Sequence, residues 1–330
     1  VYKRQDTTNT ADIAAAAKQI IVDSELWKQY SKAGIMNIRE HYTWERHANN
    51  YMQEIHRTVA SFDTTKMKVA VPSDPIGRRL ARLNYFIITD IDNTLIGDEN
   101  PQLEELLELL QLHRETVGFG VATGRTVESA KAYLQEFDVP APDVVISSVG
   151  AEIYYGKKLH YGRGWDTHIS ARWDRDKIVR LLKDFAFLKY QEEDTQRPFK
   201  VSYDMNPGKD RLAMIHDRLV YNKCRYNLIY SHNKYLDILP YRASKGKALR
   251  YLSYKWEIPL AHFLVCGDSG NDEEMLRGEP KAVVVGNFSP ELKSLKQLRN
   301  VYFAKQSYAD GILEGIDHYK FIQKTKAKAI

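Results

Sequence analysis

The stretch Tyr85-Phe86-Ile87-Ile88-Thr89-Asp90-Ile91-Asp92-Asn93-Thr94-Leu95 limits what this chain can fold into more than any other. The apolar and β-branched residues before Asp90 run on without alternation, which is the pattern of a strand buried on both faces of a parallel sheet. Such a strand delivers its last residues to the crevice at the carboxyl edge of an α/β sheet, where ligands bind. Asp90 and Asp92 would emerge there together. A strand that merely ends in an Asx turn explains this stretch equally well by itself. Three later stretches decide between the two.

The parallel rhythm continues on both sides of a long interruption. Residues 102–113 place Leu103, Leu106, Leu107 and Leu110 on one helical face. Residues 118–122 predict a second strand that runs into Thr123-Gly124-Arg125-Thr126 and a helix over 127–137. A Thr-Gly turn that ends a strand and opens a helix suits a phosphate: glycine lets the backbone approach, and the amides and helix dipole favour an anion. Residues 143–147 predict a third strand and 148–155 a hairpin arm. Between 165 and 235 the rhythm breaks. A helix over 176–187, a strand over 199–203, a helix over 211–220 and antiparallel strands over 226–231 and 235–239 predict an inserted α+β module. The rhythm resumes with a helix opened by Ser244-Lys245 and running to Trp256. A fourth strand over 262–266 ends in Gly267-Asp268-Ser269-Gly270-Asn271-Asp272. A fifth strand is expected over 281–285, and helices over 289–298 and 311–321. The expected fold is a doubly wound, mostly parallel α/β sheet.

Four stretches thus converge on one crevice: Asp90-Ile91-Asp92-Asn93-Thr94, Thr123-Gly124-Arg125, Lys245 and Gly267 through Asp272. Three stand at predicted strand ends and the lysine heads a helix. In this order they resemble the motifs of the haloacid-dehalogenase superfamily of phosphatases, whose Rossmann-like fold is this sheet. The long insertion before Lys245 matches the subgroup that carries an α+β cap there. Within that subgroup, Ser148-Val149-Gly150-Ala151-Glu152-Ile153-Tyr154, Arg197-Pro198-Phe199-Lys200-Val201-Ser202, Asp237-Ile238-Leu239-Pro240 and Val283-Val284-Val285-Gly286-Asn287 are similar to sucrose-phosphatases.

The resemblance implies a Mg²⁺-dependent hydrolysis of sucrose 6-phosphate, and the residue types suit that chemistry. Phosphoryl transfer needs a nucleophile, a proton shuttle and neutralisation of oxygen charge. Asp90 is the expected nucleophile, forming an aspartyl-phosphate. Asp92 is the expected acid/base. Asp90, the backbone carbonyl of Asp92, and Asp268 are the expected Mg²⁺ ligands, with Asp272 and Asn271 orienting them. Thr123 and the amide of Gly124 are expected on the phosphate, with Asn271 beside them. Lys245 would neutralise the charge shared by phosphate and Asp90. Lys200 is the first choice for a sugar hydroxyl, with Arg125 and Glu152 behind it. The same chemistry on another sugar phosphate, and a non-catalytic docking domain, are the competing readings.

The amino-terminal part reads differently. Helices are expected over 11–22, from Asp23-Ser24 through Trp27, Tyr30 and Ile35, and over 38–59. Leu26-Trp27, Gly34, Asn37-Ile38, Tyr42-Thr43-Trp44-Glu45 and Tyr51 resemble the last helices of a retaining, two-Rossmann-domain (GT-B) glycosyltransferase of the sucrose-phosphate synthase type. That resemblance implies a covalently linked glycosyltransferase domain whose catalytic half is not in this chain. Val1 to Gln5 does not begin with Met and reads as a truncated or artificial start. The expected layout is therefore helices over 1–60, a linker over 61–83 with a solvated basic cluster at 78–82, the phosphatase core over 84–164 and 236–325, and the cap over 165–235. The net charge of +5 is interleaved rather than clustered, so no nucleic-acid grip is expected. No apolar run approaches a membrane span. The two cysteines, Cys224 and Cys266, form no disulfide or zinc pattern, which points to a reducing cytoplasmic setting.

Overall fold

The computed structural model describes residues 10–61, 75–80, 82–98 and 101–322. The chain divides into two compact units, the first ending at Val71 and the second beginning at Pro72. The expected odd start at residues 1–5 and the linker residues 62–74 lie outside the described residues.

The first unit consists of helices Thr10–Val22, Ser24–His41 and Trp44–Ser61. The Asp23 carboxylate accepts from the amides of Glu25 and Leu26, both at 3.0 Å, and so caps the second helix as its sequence predicts. The third helix starts later than expected. Thr43 Oγ1 accepts from the Arg46 amide at 3.2 Å, which breaks the run there and leaves Ile38 in the second helix. Trp27, Tyr30, Ile35, Trp44 and Tyr51 are exposed.

The second unit opens with a helix, Pro75–Leu80, where an irregular linker is expected from the sequence. Arg79 supplies the reason. Its Nε and Nη2 donate to the Asp143 carboxylate at 2.5 and 3.0 Å, and its Nη1 donates to the Arg114 carbonyl at 2.5 Å. Leu80 and Leu83 bury beside it. Arg79 is thus a structural ion-pair residue and not part of a solvated basic cluster.

Among the described residues twelve strands follow in chain order: β1 Tyr85–Thr89, β2 Val117–Ala122, β3 Val144–Ser147, β4 Glu152–Tyr155, β5 His160–Tyr161, β6 Lys189–Tyr190, β7 Val201–Asp204, β8 Tyr226–Ser231, β9 Tyr235–Pro240, β10 Phe263–Gly267, β11 Lys281–Val284 and β12 Val301–Phe303. The main sheet has the order β12-β11-β10-β1-β2-β3-β4-β5, parallel from β12 to β3 and antiparallel at β4 and β5. Period-two alternation explains the unbroken apolar runs. Phe86 and Ile88 of β1, with Phe263 and Val265 of β10, enter one core with Ala248, Leu249 and Leu252 of helix Lys245–Trp256. Ile87, Leu264 and Cys266 face the opposite core, beneath helices Leu103–Leu112, Val127–Glu136 and Tyr308–Tyr319. After β1 the chain winds to β2 and β3 on one side; from β10 it winds to β11 and β12 on the other. The switch point is therefore the β1–β10 pair, where Thr89 lies opposite Cys266.

The cap is a second, antiparallel sheet in the order β6-β7-β9-β8 with its own core of Ile178, Leu182, Val201, Ile215, Leu219 and Ile238. Its limits differ from those expected. β9 pairs Ser202 with Asp237 and runs to Pro240, so the cap does not end at 235. Trp165 and Ile169 pack in the main core, because the Trp165 indole donates to the Gly150 carbonyl at 3.1 Å, so the cap begins after them. The strands β5, β6 and β12 are too short to leave a periodic signal in sequence.

Candidate active site

β1 ends on the buried Asp90, whose amide donates to the Cys266 carbonyl at 2.9 Å. The next residues fold into a tight turn. Asn93 takes a left-handed conformation at φ 58°, and its amide donates to the Ile96 carbonyl at 2.8 Å. Asn tolerates that conformation, because its short polar side chain bonds locally. The Asn287 side chain clamps the turn from outside by donating to the Asn93 carbonyl at 2.7 Å.

Lys245 is fully buried at the start of its helix, where Ser244 caps by accepting from the Lys247 amide at 3.0 Å. Its Nζ donates to Asp90 Oδ1 at 2.8 Å, Asn271 Oδ1 at 2.6 Å and Asp272 Oδ1 at 2.7 Å. The other oxygen of Asp272 accepts from the amides of Asp268 and Ser269, each at 3.2 Å. Asp268 accepts from Thr94 Oγ1 at 3.2 Å. Ligand atoms of Asp90, Asp268 and Asp272 all lie within 4.8 Å of one another.

Three buried carboxylates against one ammonium leave an excess of two negative charges, and the proton affinities register it. Burial pushes the Asp90 carboxyl well above the usual carboxylate range, against the pull of Lys245. Burial, and then the neighbouring Asp272, push Asp268 up to about 7. Burial works to lower the Lys245 ammonium, but Asp272 and Asp90 outweigh it and hold that group above its ordinary value.

Asp92 stands apart from this cluster. Its carboxylate is gripped by Arg125, with Nε at 3.0 and 2.9 Å from the two oxygens and Nη2 at 2.6 Å from Oδ1. The Arg125 guanidinium also lies 3.9 Å over the Tyr133 ring. Thr123 is buried at the end of β2, and its Oγ1 accepts from the Arg125 amide at 3.1 Å. A Cβ added at Gly124 would meet only the Asn271 amide nitrogen and Val149, each at 3.9 Å, so the turn stays open above the cluster.

A cleft of about 1200 Å³ separates this floor from the cap. Asp90, Asp92, Gly124, Arg125 and Asn271 line it from the core, and Gln191, Lys200, His232, Tyr235 and Asp237 line it from the cap. Lys200 is nearly buried, with Nζ 3.7 Å from Asp237 Oδ1, and Asp237 also accepts from Ser202 Oγ at 2.6 Å. Glu152 does not line the cleft. It is buried, accepts from Ser147 Oγ at 3.1 Å and Ser148 Oγ at 3.2 Å, and pairs with Arg197 of the cap at 3.6 Å. A second cavity, about 420 Å³ between Arg79, Leu110, Phe119, Pro142 and Lys158, lies away from these groups.

Sequence reasoning did not single out Thr94, Asn287, Asp237 or Arg197 as site residues. Asp237 left a signal, a carboxylate inside an otherwise apolar strand. Arg197 stands in the stretch 197–202 quoted for its resemblance, but its pairing with Glu152 left no signal, because the partner comes from a distant position in the chain.

Comparison with known proteins gives a consistent answer. The sucrose-6F-phosphate phosphohydrolase family profile matches residues 83–320. Sucrose-phosphatase 1 of Nicotiana tabacum is 32% identical over 260 residues, which are 74% of this chain and 61% of that protein. The chain spans about three fifths of the length of the plant sucrose-phosphatases that it matches. A glucosylglycerol-phosphate synthase of Pseudomonas anguilliseptica is 30% identical over 240 residues, 72% of this chain but only 31% of that protein. Among solved structures, the sucrose-phosphatase of Synechocystis sp. PCC6803, in complex with sucrose and phosphate, superposes with a TM-score of 0.68 at 32% identity. That match covers 72% of this chain and 98% of the other.

Proposed function

The chain belongs to the sucrose-6F-phosphate phosphohydrolase family, and from that premise we propose that it hydrolyses a sugar-phosphate monoester, sucrose 6-phosphate first, to the free sugar and phosphate. The observation that carries this reading is the position of Asp90. It is a buried carboxylate bonded to Lys245, at the floor of a cleft whose roof is a polar cap. Asp90 attacks phosphorus, the bond from phosphorus to the sugar oxygen breaks, and Asp92, once it has left Arg125 and taken up a proton from solvent, gives that proton to the departing oxygen. Asp92 then takes a proton from the water that cleaves the aspartyl-phosphate. Both of its tasks require Arg125 to release the carboxylate that it now grips. Thr123, Gly124 and Asn271 hold the phosphate oxygens, and Lys245 balances charge on the Asp90 side. Lys200 reads the sugar, with Arg125 available once it leaves Asp92.

The charge deficit at Asp90, Asp268 and Asp272 fits a hard divalent cation. Mg²⁺ held by Asp90, Asp268 and the Asp92 carbonyl would neutralise the oxygens of the transferring group. Asp272 has both oxygens committed to Lys245 and backbone amides, which suits it to orienting the others.

We further read residues 10–61 as closing helices of an attached glycosyltransferase. Their exposed Trp27, Trp44 and Tyr51 support this, as does the small share of the matching synthase that this chain covers. Cys224 and Cys266 are both free, which suits the cytoplasm. Among the described residues, no helix is long and apolar enough to cross a membrane.

Phosphate release from a panel of sugar phosphates, with and without Mg²⁺, tests the function. Equal rates on all esters, or none on sucrose 6-phosphate, would refute the substrate assignment. A second reading, a domain that binds the sugar phosphate without turning it over, is favoured by one observation, the engagement of Asp92 with Arg125. Replacing Asp90 with Asn separates the two: under the first reading turnover disappears while ligand binding survives. Under the second, the wild type is inactive from the start.

A further inference from the structure

One core–cap contact joins a half-buried cation of the cap to a buried carboxylate of the core. Arg197 lies in the cap loop before β7. Its Nη1 is fixed by its own loop, donating to the carbonyls of Asp194 and Gln196, both at 2.9 Å. Its remaining nitrogens reach the core. Nε lies 3.6 Å from Glu152 Oε1, and Nη2 lies 3.2 Å from Glu128 Oε2. Glu128 is largely exposed, so that pair is worth little. Glu152 is buried, and a buried carboxylate that loses its cation is costly.

The two ends of this contact are tied rigidly to the two halves of the site. On the cap side, Arg197 and Lys200 exchange backbone hydrogen bonds in both directions, at 3.3 and 3.1 Å. The Trp173 indole and the Arg175 guanidinium brace the same turn through the carbonyls of Pro198 and Arg197, and Phe199 packs against the main core. Whatever fixes Arg197 therefore fixes the backbone that carries Lys200. On the core side, Glu152 holds the Ser147 and Ser148 hydroxyls. The Ser148 amide donates to the Arg125 carbonyl at 2.8 Å and the Val149 amide to the Thr123 carbonyl at 3.0 Å. Ser148 and Val149 both take positive φ, of 53° and 60°. A β-branched residue there is strained, and neighbouring bonds must hold it.

We propose that Arg197 and Glu152 form a strut that sets the distance between Lys200 in the cap and the Thr123-Gly124-Arg125 turn in the core. In this way they select esters long enough to span both. Both are positioning residues; the strut acts through the turns it braces. The inference rests on the phosphatase reading and deepens it, because it says how a phosphate site common to many esters becomes a site for a sugar ester.

The test compares sucrose 6-phosphate with p-nitrophenyl phosphate, a short aryl ester that needs no cap contact, for wild type, Arg197→Gln and Arg197→Lys. A shift of the order of 1 Å at a reacting group can cost about a hundredfold. For Arg197→Gln we expect KM for the sugar ester to rise about tenfold or more while kcat/KM for the aryl ester stays within about twofold. Arg197→Lys should recover part of the loss, since it returns the charge to Glu152 without the planar fork. If Arg197→Gln melts below the assay temperature, the ratio of the two esters in Arg197→Lys carries the decision. Equal changes on both esters, or on neither, overturn the strut. A wild type that hydrolyses neither ester overturns the phosphatase reading itself, a different and separately visible result.

Discussion

Replacing Lys245 with Met tests the charge arrangement at the floor of the site. Met keeps most of the side-chain volume, so the change removes the ammonium without opening a large cavity. In the wild type that ammonium donates to Asp90, Asn271 and Asp272 at 2.8, 2.6 and 2.7 Å, with both carboxylates buried. Removing one partner of a buried ion pair costs about 3–5 kcal/mol, because the stranded charge is uncompensated. Three charge-assisted bonds would sum to more, but they do not add: a stranded carboxylate can take up a proton. That escape has a pH signature. Burial already pushes the Asp90 carboxyl upward, against the pull of Lys245. Without the lysine it rises further, so the folded variant binds more protons than the unfolded chain. Stability then falls as pH rises through that window. Urea titrations followed by circular dichroism should therefore show a loss of about 3–5 kcal/mol at pH 8, with an unchanged m-value, and a smaller loss at pH 5. A deficit below about 1 kcal/mol at pH 8, or one of equal size at both pH values, would refute the reasoning. Turnover should vanish at every pH.

Two further outcomes follow from the same geometry. Gly150→Ala should destabilise the fold by about 3 kcal/mol or more and lower the melting temperature, since φ is +94° and the added Cβ would meet the Ser244 carbonyl at the start of the Lys245 helix. A melting temperature within about 1 °C of wild type would show that the turn can relax. Mg²⁺ at a hundred times its dissociation constant should stabilise the protein by about 2.7 kcal/mol, and Asp268→Asn should abolish that gain in thermal melts; a full gain in the variant would move the metal away from Asp268.

What the sequence disclosed and what it withheld divide along one physical line. Asp90, Lys245, Asp268 and Asp272 stand at strand ends or helix starts, so short motifs and the apolar runs around them were enough to bring them together. The parallel core was legible for the same reason: strands buried on both faces leave continuous apolar runs. Helix Pro75–Leu80 was read as linker because its stability comes from Arg79 reaching Asp143, far along the chain. The end of the cap was set at 235 although a strand is legible over 235–239, because only its pairing with β7 shows that this whole strand belongs to the cap sheet. Arg197 with Glu152, and Lys200 with Asp237, are pairs that only tertiary contact defines. Under the proposed function, substrate choice would rest on such pairs and the chemistry on local motifs, so a sequence would reveal the reaction more readily than its substrate.

Under the proposed function, the charge count also implies an order of binding. Asp92 and Arg125 cancel one another. Asp90, Asp268 and Asp272 against Lys245 leave two negative charges in a buried site. A phosphate ester brings negative charge of its own, and at low effective dielectric that repulsion is severe. Under the proposed function the cation would therefore bind before the substrate. Protons are its competitors, because the raised affinities of Asp90 and Asp268 mean that protons partly fill the deficit when no metal is bound. Metal binding must displace them. Mg²⁺ affinity should therefore climb as pH rises through about 7, where Asp268 gives up its proton. Without metal, stability runs the other way, falling as pH rises toward about 7, because the native state holds more protons than the unfolded chain. Calorimetric titration with inorganic phosphate should give binding heat only when Mg²⁺ is present, and Mg²⁺ titrations at pH 5.5, 6.5 and 7.5 should show the climb. Phosphate binding of equal strength without the cation, or a metal affinity indifferent to pH, would mean that the excess charge is balanced by another group.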